Sequence, residues 1–489
     1  MISDPVPKIN GKIPTPRLPR GGRTPIIRRE IKGFMRKRVP GPGGVLFAGD
    51  LVVLVLALNL AYVIRARLAG LAPDPFEFMV SRPGISAFIL AVYLFSFYVF
   101  DLYDPRSWPS IGALVRHYSG AVFLSSFLIL SYFWFAPFRF GRGLFALTLV
   151  LVSVIFLLWR TVLYRAFHRK LLVRKAVLFG RDDERKDLAR FATARNGLEL
   201  AGFVPFRPEE RSLIDADSFA EIGKAVESAA ADVLAVSPEL LSRPDTNRLI
   251  LWARSRGIEV ADFPSLFEEL SNRVAIGHIS ERWILQSRGF QGLQNESVRR
   301  VKRILDIGIS SVVLVFSIPL ALLIAAAIKA TSRGPVLFIQ DRVGEGRTPY
   351  RILKFRTMIV NAEAAGPQWA EENDLRVTGI GRFLRRTRLD ELPQFLNVLG
   401  GSMSVVGPRP EREFFVRRLE AEIPLYALRF TTKPGITGWA QIHYRYGASV
   451  EDSREKLKLD LYYVRNFSLA LDLKILLGTV RVMLFGLGR

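Results

Sequence analysis

Cysteine is absent from this chain of 489 residues. Disulfide bonds, thiolate metal sites and cysteine nucleophiles are therefore excluded. Histidine is also scarce, and its four positions, His117, His168, His278 and His443, have no metal-ligand spacing. Any metal that the chain binds is expected to be a hard cation on oxygen ligands.

Acidic residues are few relative to basic ones. The chain has 45 Asp and Glu against 69 Lys and Arg, which gives a net charge of +24. This surplus favours anionic partners such as acidic lipid, nucleic acid or phosphorylated substrates. Hydrophobic residues nevertheless make up 49% of the chain, which is high for a chain that is 23% charged. Apolar runs and charges must therefore occupy different segments.

The N-terminal segment, residues 1–43, carries eleven Lys and Arg against two acids, with Pro and Gly throughout. It shows neither a helical nor a strand period, which predicts a disordered basic arm. The first apolar run follows this arm instead of opening the chain, so a cleaved signal peptide is not predicted.

Four apolar runs follow the arm, and each approaches the roughly 20 residues that a bilayer-crossing helix needs. They are Val45–Ile64, Gly84–Phe100, Tyr118–Phe138 and Leu144–Trp159 continuing toward Phe167. Basic residues concentrate before the first run and from Arg160 onward, so the positive-inside rule places both ends in the cytoplasm. We predict a four-helix transmembrane domain over residues 44–170. Within it, Asp50 is either an acid within reach of the headgroups or a functional intramembrane group.

From Lys175 onward, short apolar runs alternate with polar helical segments. Strands are predicted at 176–179, 200–204, 232–236 and 258–261, and helices at 184–195, 219–230, 245–256 and 264–270. This alternation predicts a Rossmann-like, parallel α/β domain over residues 173–290. Its first strand–helix turn, Gly180-Arg-Asp-Asp-Glu184, has one glycine and three acids, which would repel a pyrophosphate. A structural or dimerising role is therefore favoured over dinucleotide binding.

A later apolar run, Ile304–Ile328, contains Pro319 near its middle. Its length would allow a fifth crossing, but a crossing would put the basic residues that follow outside the cell. Proline removes a backbone donor and kinks a helix. We therefore favour a re-entrant helix over residues 304–328, which bends near Ser317–Pro319 and returns to the cytoplasmic face. An ordinary kinked span is the alternative.

Two adjacent carboxylates, Asp390 and Glu391, lie in an arginine-rich stretch, Arg382–Pro410. Two structural interpretations apply to Asp390: a capping-box residue bonded back to Thr387, or the partner of Arg386 in an ion pair on one helix face. The density of arginines instead indicates an anionic substrate whose chemistry needs a carboxylate. This combination favours phosphoryl transfer.

Further candidate site residues flank the two carboxylates. Arg409 lies between prolines in Gly407-Pro-Arg-Pro410, a stiff turn suited to holding a guanidinium group against a phosphate. Lys354 and Arg356 follow a β-like run and a glycine-containing turn. These basic groups are expected to meet at one site.

Three C-terminal segments have recognisable patterns. Lys433–Gln441 contains Trp439, which either covers a substrate or packs in a core. Glu451–Asn466 is predicted as an amphipathic helix, and Leu469–Arg489 as a helix in the membrane interface. The polar segment Asn361–Asp374 matches no motif.

Five motifs occur in a fixed order in the C-terminal part. They are Lys302-Arg303 with Asp306 ahead of the proline-broken apolar run, Lys354-Phe-Arg-Thr-Met358, Leu389-Asp-Glu-Leu-Pro-Gln394, Gly407-Pro-Arg-Pro410 and Lys433-Pro-Gly-Ile-Thr-Gly-Trp-Ala-Gln441. In this order they resemble the bacterial sugar transferases, polyprenyl-phosphate hexose-1-phosphate transferases of the monotopic phosphoglycosyl transferase class. The likeness covers about residues 295–489, the predicted catalytic domain. Four spans followed by an α/β domain resemble the long form, typified by undecaprenyl-phosphate galactose phosphotransferases.

The resemblance implies a two-step reaction on the cytoplasmic face of a bacterial inner membrane. Asp390 would attack the β-phosphate of a UDP-sugar and hold Mg²⁺, Glu391 would assist, and UMP would leave. Polyprenyl phosphate would then take the phospho-sugar from Asp390, which starts a lipid-linked glycan. The expected donor is UDP-galactose or UDP-glucose, and a homodimer is expected.

Seven basic residues are the candidate phosphate contacts. They are Arg385, Arg386, Arg409, Lys302, Arg303, Lys354 and Arg356. Arg385 holds the family's phosphate-binding position, whereas Arg386 lies nearer to Asp390 on the surface of a regular helix.

Two other classes of protein fit parts of the sequence. A membrane scaffold or sensor would use the α/β domain for a ligand and the acidic pair as a helix cap. A membrane-anchored nucleic-acid binder would use the net positive charge, but only one aromatic residue, Phe383, is interleaved with the basic residues of 382–388. We therefore predict no nucleic-acid partner.

Overall fold

The computed structural model describes residues 42–485 with short gaps. The gaps are residues 75, 104–110, 136–141, 169–172, 194–195, 207–215, 242, 244–245, 280–282, 284–292, 294, 361, 363–365, 367–373, 445–446 and 448. All but the last two residues of the predicted basic arm lie outside the described residues, as does most of the segment 361–374.

In the part of the chain that the structure describes, five helices precede the first strand. They are α1 Pro42–Leu68, α2 Glu77–Ser81, α3 Pro83–Val99, α4 Ile111–Phe135 and α5 Arg142–His168. By length and composition, α1, α4 and α5 each contain a stretch able to cross a membrane. Helix α3, at the predicted second span, is apolar but has only 17 residues. These helices confirm the coarse prediction of a membrane protein.

A buried ion pair joins the first and last of these helices. The carboxylate of Asp50 in α1 accepts a hydrogen bond from the guanidinium group of Arg160 in α5, and both side chains are fully buried. The helices approach closely at Gly49, because a Cβ there would lie 2.1 Å from the ring of Trp159. Arg160 therefore belongs to the packed interior and not to the basic flank. Pairing is required because either charge alone would be costly between apolar helices.

A four-stranded parallel sheet follows. Its strands are β1 Arg174–Gly180, β2 Leu198–Pro205, β3 Val233–Val236 and β4 Glu259–Asp262, in the order β2-β1-β3-β4. The helices of this part are α6 Asp182–Phe191, α7 Ala216–Ser228, α8 Pro238–Leu241, α9 Thr246–Ser255 and α10 Phe263–Ser271. Leu178 packs with α6 and α10, and Phe179 with α7 and α9, because successive strand residues face opposite sides. The predicted parallel sheet is confirmed; residues 173–279 are called the α/β unit below.

The remaining elements form what we call the C-terminal unit, residues 295–485. They are α11 Glu296–Thr331, β5 Leu337–Val343, β6 Pro349–Phe355, α12 Gly379–Thr387, α13 Gln394–Leu399, β7 Ser404–Val406, α14 Glu413–Glu422, β8 Gly435–Thr437, α15 Trp439–His443, α16 Val450–Arg465 and α17 Leu469–Phe485. Strands β5 and β6 form an antiparallel hairpin, and β7 and β8 a parallel pair. Helix α16 has the predicted amphipathic character, with Leu457 and Leu461 in the core.

Helix α11 is one continuous helix of 36 residues with Pro319 inside it. Its first turns are fixed to β7, because Asp306 accepts hydrogen bonds from the hydroxyl of Ser404 at 3.1 Å and from the backbone N–H of Val405 at 2.9 Å. Its last turns bury Ile324 and Ile328 against β6 and α12. The part between is apolar and exposed, and includes Val315, Phe316, Leu322 and Leu323. Both ends of α11 therefore pack on the same unit.

Candidate active site

The two adjacent carboxylates lie in a tight turn between α12 and α13. Helix α12 is capped at its N-terminus by Thr378, whose hydroxyl oxygen accepts a hydrogen bond from the N–H of Gly381 at 3.0 Å. It ends at Arg388, which has a left-handed backbone with φ 55°. A left-handed conformation costs a non-glycine residue roughly 1–2 kcal/mol and is often kept at functional sites. A 3₁₀ turn over Leu389–Glu391 follows directly.

Neither structural interpretation of Asp390 is correct. The hydroxyl of Thr387 donates to the carbonyl of Phe383 at 2.9 Å, and the 3₁₀ turn has no side-chain cap. Arg386 is exposed, and within the described residues it forms no ion pair with Asp390. The turn is therefore not held by a capping box or by a surface ion pair.

Glu391 is held by two cations. Its Oε1 lies 3.2 Å from Nζ of Lys354 and 2.9 Å from Nη2 of Arg409. Burial alone would raise the pKa of Glu391, but the charges of Arg409, Lys354 and Arg388 outweigh burial and hold the pKa at about 2. Glu391 is therefore a carboxylate at any physiological pH.

Asp390 has a different environment. It is only 8% exposed, and its carboxylate makes no hydrogen bond or ion pair within the described part of the chain. Burial and the negative charge of Glu391 raise the pKa of Asp390 to about 6, although Lys354, Arg409 and Arg385 act in the opposite direction. Glu391 is thus fixed by its two ion pairs, whereas the carboxylate oxygens of Asp390 remain available to a substrate or a cation.

Lys354 is positioned by a side chain on α13. The amide of Asn397 accepts from the backbone N–H of Leu353 at 2.9 Å and donates to the carbonyl of Arg351 at 2.7 Å. These two bonds fix strand β6 to the helix that follows the carboxylate pair. The distance between Lys354 and Glu391 is therefore set by tertiary contacts.

Arg409 is positioned by close packing of backbone segments. A Cβ at Gly435 would lie 2.0 Å from the backbone nitrogen of Gly407, and one at Gly438 would lie 2.2 Å from its carbonyl oxygen. The carbonyl of Arg409 also accepts a hydrogen bond from Arg429 at 2.9 Å. Glycine is thus needed in both motifs because their backbones touch.

Arg385 is oriented toward the pair by Thr357. Its Nε donates to Oγ1 of Thr357 at 2.9 Å. Gly381 allows this approach, because a Cβ there would lie 2.0 Å from the carbonyl oxygen of Thr357. Arg385 contributes to the field at Asp390, whereas Arg386 is exposed. The structure therefore favours Arg385 over Arg386 as a phosphate contact.

Three other predicted phosphate contacts have their hydrogen bonds elsewhere. The amine of Lys302 donates to Asp472 at 2.7 Å and to the carbonyl of Val406 at 3.0 Å. Arg303 donates to the carbonyls of Val398 and Leu399, and Arg356 to the carbonyl and hydroxyl of Ser332. This geometry favours structural roles, and a phosphate contact for these three stays a prediction.

The structure also shows site residues that were not assigned from the sequence. Arg388 carries a charge that acts on both carboxylates, and Asn397 joins β6 to α13. Both are polar residues in the motif region, but no local pattern marks their contacts. Trp439 is only 1% exposed and its indole N–H donates to the carbonyl of Asn272 at 3.1 Å. The core position considered for Trp439 is therefore the correct one.

Sequence comparison agrees with this arrangement of motifs. Residues 297–486 match the family model described as bacterial sugar transferase. A relative in Caulobacter vibrioides is 38% identical over 258 residues, which is 52% of this chain and 95% of that protein. The chain therefore belongs to the bacterial sugar transferase family.

The names of individual relatives are more specific. The Caulobacter protein is named UDP-glucose:undecaprenyl-phosphate glucose-1-phosphate transferase, as is a Klebsiella pneumoniae protein that is 47% identical over 181 residues. An Aeromonas hydrophila protein, 43% identical over 231 residues, is named UDP-N-acetylgalactosamine-undecaprenyl-phosphate N-acetylgalactosaminephosphotransferase. The alignments cover 47% of this chain and 53% of the Aeromonas protein, and 37% of this chain and 39% of the Klebsiella protein.

Proposed function

We propose that this chain transfers a hexose-1-phosphate from a UDP-sugar to undecaprenyl phosphate or a similar polyprenyl phosphate. The main support for this function is that the two adjacent carboxylates have different environments. Glu391 is held by two cations, whereas Asp390 has no partner within the described residues. An available carboxylate among basic side chains is suited to attack phosphorus. The relatives' names give this kind of transfer for those proteins.

In the first step, an oxygen of Asp390 forms a bond to the β-phosphorus of the UDP-sugar. The bond from that phosphorus to the bridging oxygen breaks, and UMP leaves with the electron pair. Lys354 and Arg409 lie beside the pair through their contacts with Glu391, and Arg385 adds a third positive charge. These charges offset the negative charge on the transferring group.

In the second step, a phosphate oxygen of the polyprenyl phosphate bonds to the same phosphorus, and the bond to Asp390 breaks. The carboxylate is regenerated, and the product is a polyprenyl-diphosphate sugar. Splitting the reaction allows a water-soluble donor and a lipid acceptor to use one site in turn. The product would start a lipid-linked glycan such as O-antigen, capsule or exopolysaccharide.

The oxygens of Asp390 fit a hard divalent cation such as Mg²⁺. Among the described residues there is no group of three or more acidic or histidine side chains that could hold a metal ion. Asp390 would therefore hold Mg²⁺ together with water and substrate phosphates, which is common for Mg²⁺ in phosphoryl transfer. When bound, the ion offsets charge on the diphosphate.

We propose that α11 enters the cytoplasmic leaflet and returns to the same face. A straight helix of its length would extend about 54 Å, yet both its ends pack on the C-terminal unit. Pro319 lies in the exposed apolar part between these ends. This supports a bent helix whose middle lies in lipid, with the active site at the surface of the bilayer on the cytoplasmic face of the inner membrane.

We also propose the domain division predicted from the sequence: 44–170, a Rossmann-like domain at 173–290, and a catalytic domain at 295–489. Each of the three segments has a hydrophobic core of its own, which supports this division, and one further cluster joins the second segment to the third. A homodimer stays a prediction, which the mass of the detergent-solubilised protein would check.

We propose UDP-glucose or UDP-galactose as the donor, and a screen of UDP-sugars tests both donor and reaction. Purified protein would be incubated with each UDP-sugar, including UDP-N-acetylgalactosamine, and a short polyprenyl phosphate, with UMP release as the readout. We expect Mg²⁺-dependent release with one donor, loss in Asp390→Asn, and full release in Asp341→Asn, an acid that is 81% exposed on β5. Full turnover by Asp390→Asn would overturn the assignment of the nucleophile.

A further inference from the structure

A cavity of about 230 Å³ lies at the carboxyl ends of β1 and β3. Its walls come from Arg181, Glu184, Pro238, Glu239 and residues 277–279. In the sheet order β2-β1-β3-β4, the chain passes from β1 to β2 on one side of β1 and then crosses from β2 to β3 on the other side. Open parallel sheets bind ligands in the crevice at such a reversal.

The cavity is unsuited to a dinucleotide. The carboxylate of Glu184 accepts from the backbone N–H of Arg181 and from the hydroxyl of Ser237, both at 2.9 Å. It therefore occupies the start of α6, where a phosphate would otherwise bind. A Cβ at Gly180 would lie 2.3 Å from this carboxylate, so the turn is already filled.

The cavity wall presents donors and acceptors in fixed positions. The guanidinium group of Arg181 donates to Glu239 at 2.9 Å and contacts Nδ1 of His278 at 3.0 Å. Because a guanidinium group only donates, Nδ1 must accept and Nε2 must carry the proton. That proton is then donated to Asp187, whose carboxylate lies 2.9 Å away.

The charge balance of this wall disfavours anions. Four carboxylates lie on it or directly beside it: Asp183, Glu184, Asp187 and Glu239. They face the guanidinium groups of Arg181 and Arg190 and the imidazole of His278. Arg181 is already paired with Asp183 and Glu239, and Arg190 with Asp187. A hydroxyl group can both donate to a carboxylate and accept from a cation. Carboxylates at this edge of parallel sheets bind sugar hydroxyls in the same manner.

The segment that closes the cavity also docks on the C-terminal unit. Asn272 accepts from Trp439, and the N–H of Val274 donates to the carbonyl of Lys458 at 3.0 Å. Arg273 forms an ion pair with Glu455 at 2.7 Å. Val274 and Ile276 are buried in one cluster with residues of α16. A change in the position of residues 277–279 would therefore act on α16 and on Trp439 at the start of α15.

We propose that this cavity binds a small, uncharged, hydroxyl-rich ligand, a hexose or a nucleoside, and that the bound ligand alters α16 through residues 272–279. The site would make the α/β unit a sensor for a soluble metabolite. The proposal goes beyond the proposed transfer reaction and does not depend on it, because binding and coupling are measured without turnover.

The binding test uses the full chain in lipid nanodiscs with glucose, galactose and adenosine as probes, measured by ligand-observed NMR titration. We expect saturable binding of at least one probe, and about tenfold weaker binding in Glu239→Gln, which loses a charged hydrogen-bond partner. Glu239 is half exposed, so the variant is expected to fold. Glu221→Gln, an exposed acid elsewhere in the α/β unit, serves as the matched control and should bind as the wild type does. Glucose 6-phosphate should bind more weakly than glucose.

Hydrogen exchange of the same samples tests the coupling. A saturating probe should slow exchange in residues 272–279 and in α16, and Glu239→Gln should need about tenfold more probe to reach the same change. Absence of saturable binding, equal binding by Glu239→Gln, or binding of glucose 6-phosphate as tight as that of glucose would overturn the site. Binding without any change in α16 would overturn the coupling.

Discussion

Arg409 donates a hydrogen bond to Glu391 over 2.9 Å, which joins the turn at Gly407-Pro-Arg-Pro410 to the carboxylate pair. The same oxygen of Glu391 lies 3.2 Å from Lys354, so one carboxylate holds two cations. These cations come from segments that are far apart in the chain. Glu391 therefore organises the positive charge of the site, while Asp390 is left available for chemistry.

Replacement of Arg409 by Gln should lower kcat/KM for the UDP-sugar by roughly 100-fold, because one preorganised donor near the transferring phosphate is lost. Arg409→Lys should recover part of the activity, since charge returns but the paired N–H groups do not. Arg417→Gln, on the exposed face of α14, is the control for loss of one charge. Equal kcat/KM in Arg409→Gln and Arg417→Gln would contradict this role.

Asn397→Ala should destabilise the chain by roughly 1–3 kcal/mol, because two backbone groups of β6 lose their partner. Since Lys354 lies on the same strand, activity should fall even at temperatures where the variant is folded. Thermal unfolding and initial rates of UMP release would separate the two effects. A folded variant with unchanged rate would show that Asn397 has no part in positioning Lys354.

Lys302 and Asp472 form a buried pair, so removing either partner alone should cost roughly 3–5 kcal/mol. The double variant Lys302→Met with Asp472→Leu should recover much of this loss, because an apolar pair leaves no unpaired charge. If Lys302 has only a structural role, the rate of UMP release by the double variant should recover together with its stability. A stable but inactive double variant would instead support the predicted phosphate contact.

The natural absence of cysteine allows the proposed bend at Pro319 to be tested by labelling. Arg300 and Arg351 have exposed side chains on either side of the apolar part of α11. Single cysteines at both positions should resist a membrane-impermeant maleimide in intact spheroplasts and react after permeabilisation. Leu71 lies between α1 and α3. Because both ends of the four-helix bundle are expected in the cytoplasm, the connection after the first span is expected on the outer face of the membrane. Leu71→Cys should therefore react in intact spheroplasts. Reaction of Arg351→Cys in intact spheroplasts would instead indicate a crossing helix.

Burial raises the pKa of Glu184 above its ordinary value of 4.5, against the opposing hydrogen bonds from Arg181 and Ser237. The folded chain therefore binds the proton more tightly than the unfolded chain does. The resulting stabilisation is complete below pH 4.5 and is lost as the pH rises through the higher folded pKa.

Hydrogen-exchange protection of β1, corrected for intrinsic rates, would check this. The difference in the free energy of opening of β1 between the wild type and Glu184→Gln should shrink as the pH rises from 4.5. The difference between the wild type and Glu221→Gln should not change with pH. A constant difference between the wild type and Glu184→Gln would contradict the raised pKa.

The parallel sheet could be predicted from the sequence, because runs such as Ala176–Phe179 alternate with polar helices over a short spacing. The meeting of Lys354 and Arg409 at the carboxylate pair could also be predicted, since motif order and charge density can be read directly from the sequence. The left-handed Arg388 and the double contact of Glu391 could not, because they depend on segments brought together only by folding. The burial of Arg160 could not be predicted either. Its position after an apolar run is typical of the basic residues that flank a membrane span, and only its contact with Asp50 shows that it is buried.

The central claim is that Asp390 carries the phospho-sugar between the nucleotide and the lipid. It is tested most directly by mixing purified protein with the UDP-sugar and Mg²⁺ in the absence of polyprenyl phosphate, followed by peptide mass spectrometry. We expect the peptide containing Asp390 to gain the mass of a phosphohexosyl group, to lose it when polyprenyl phosphate is added, and to remain unmodified in Asp390→Asn. Transfer to the lipid with no modified peptide at any time, or modification of Asp390→Asn at the same rate, would contradict it.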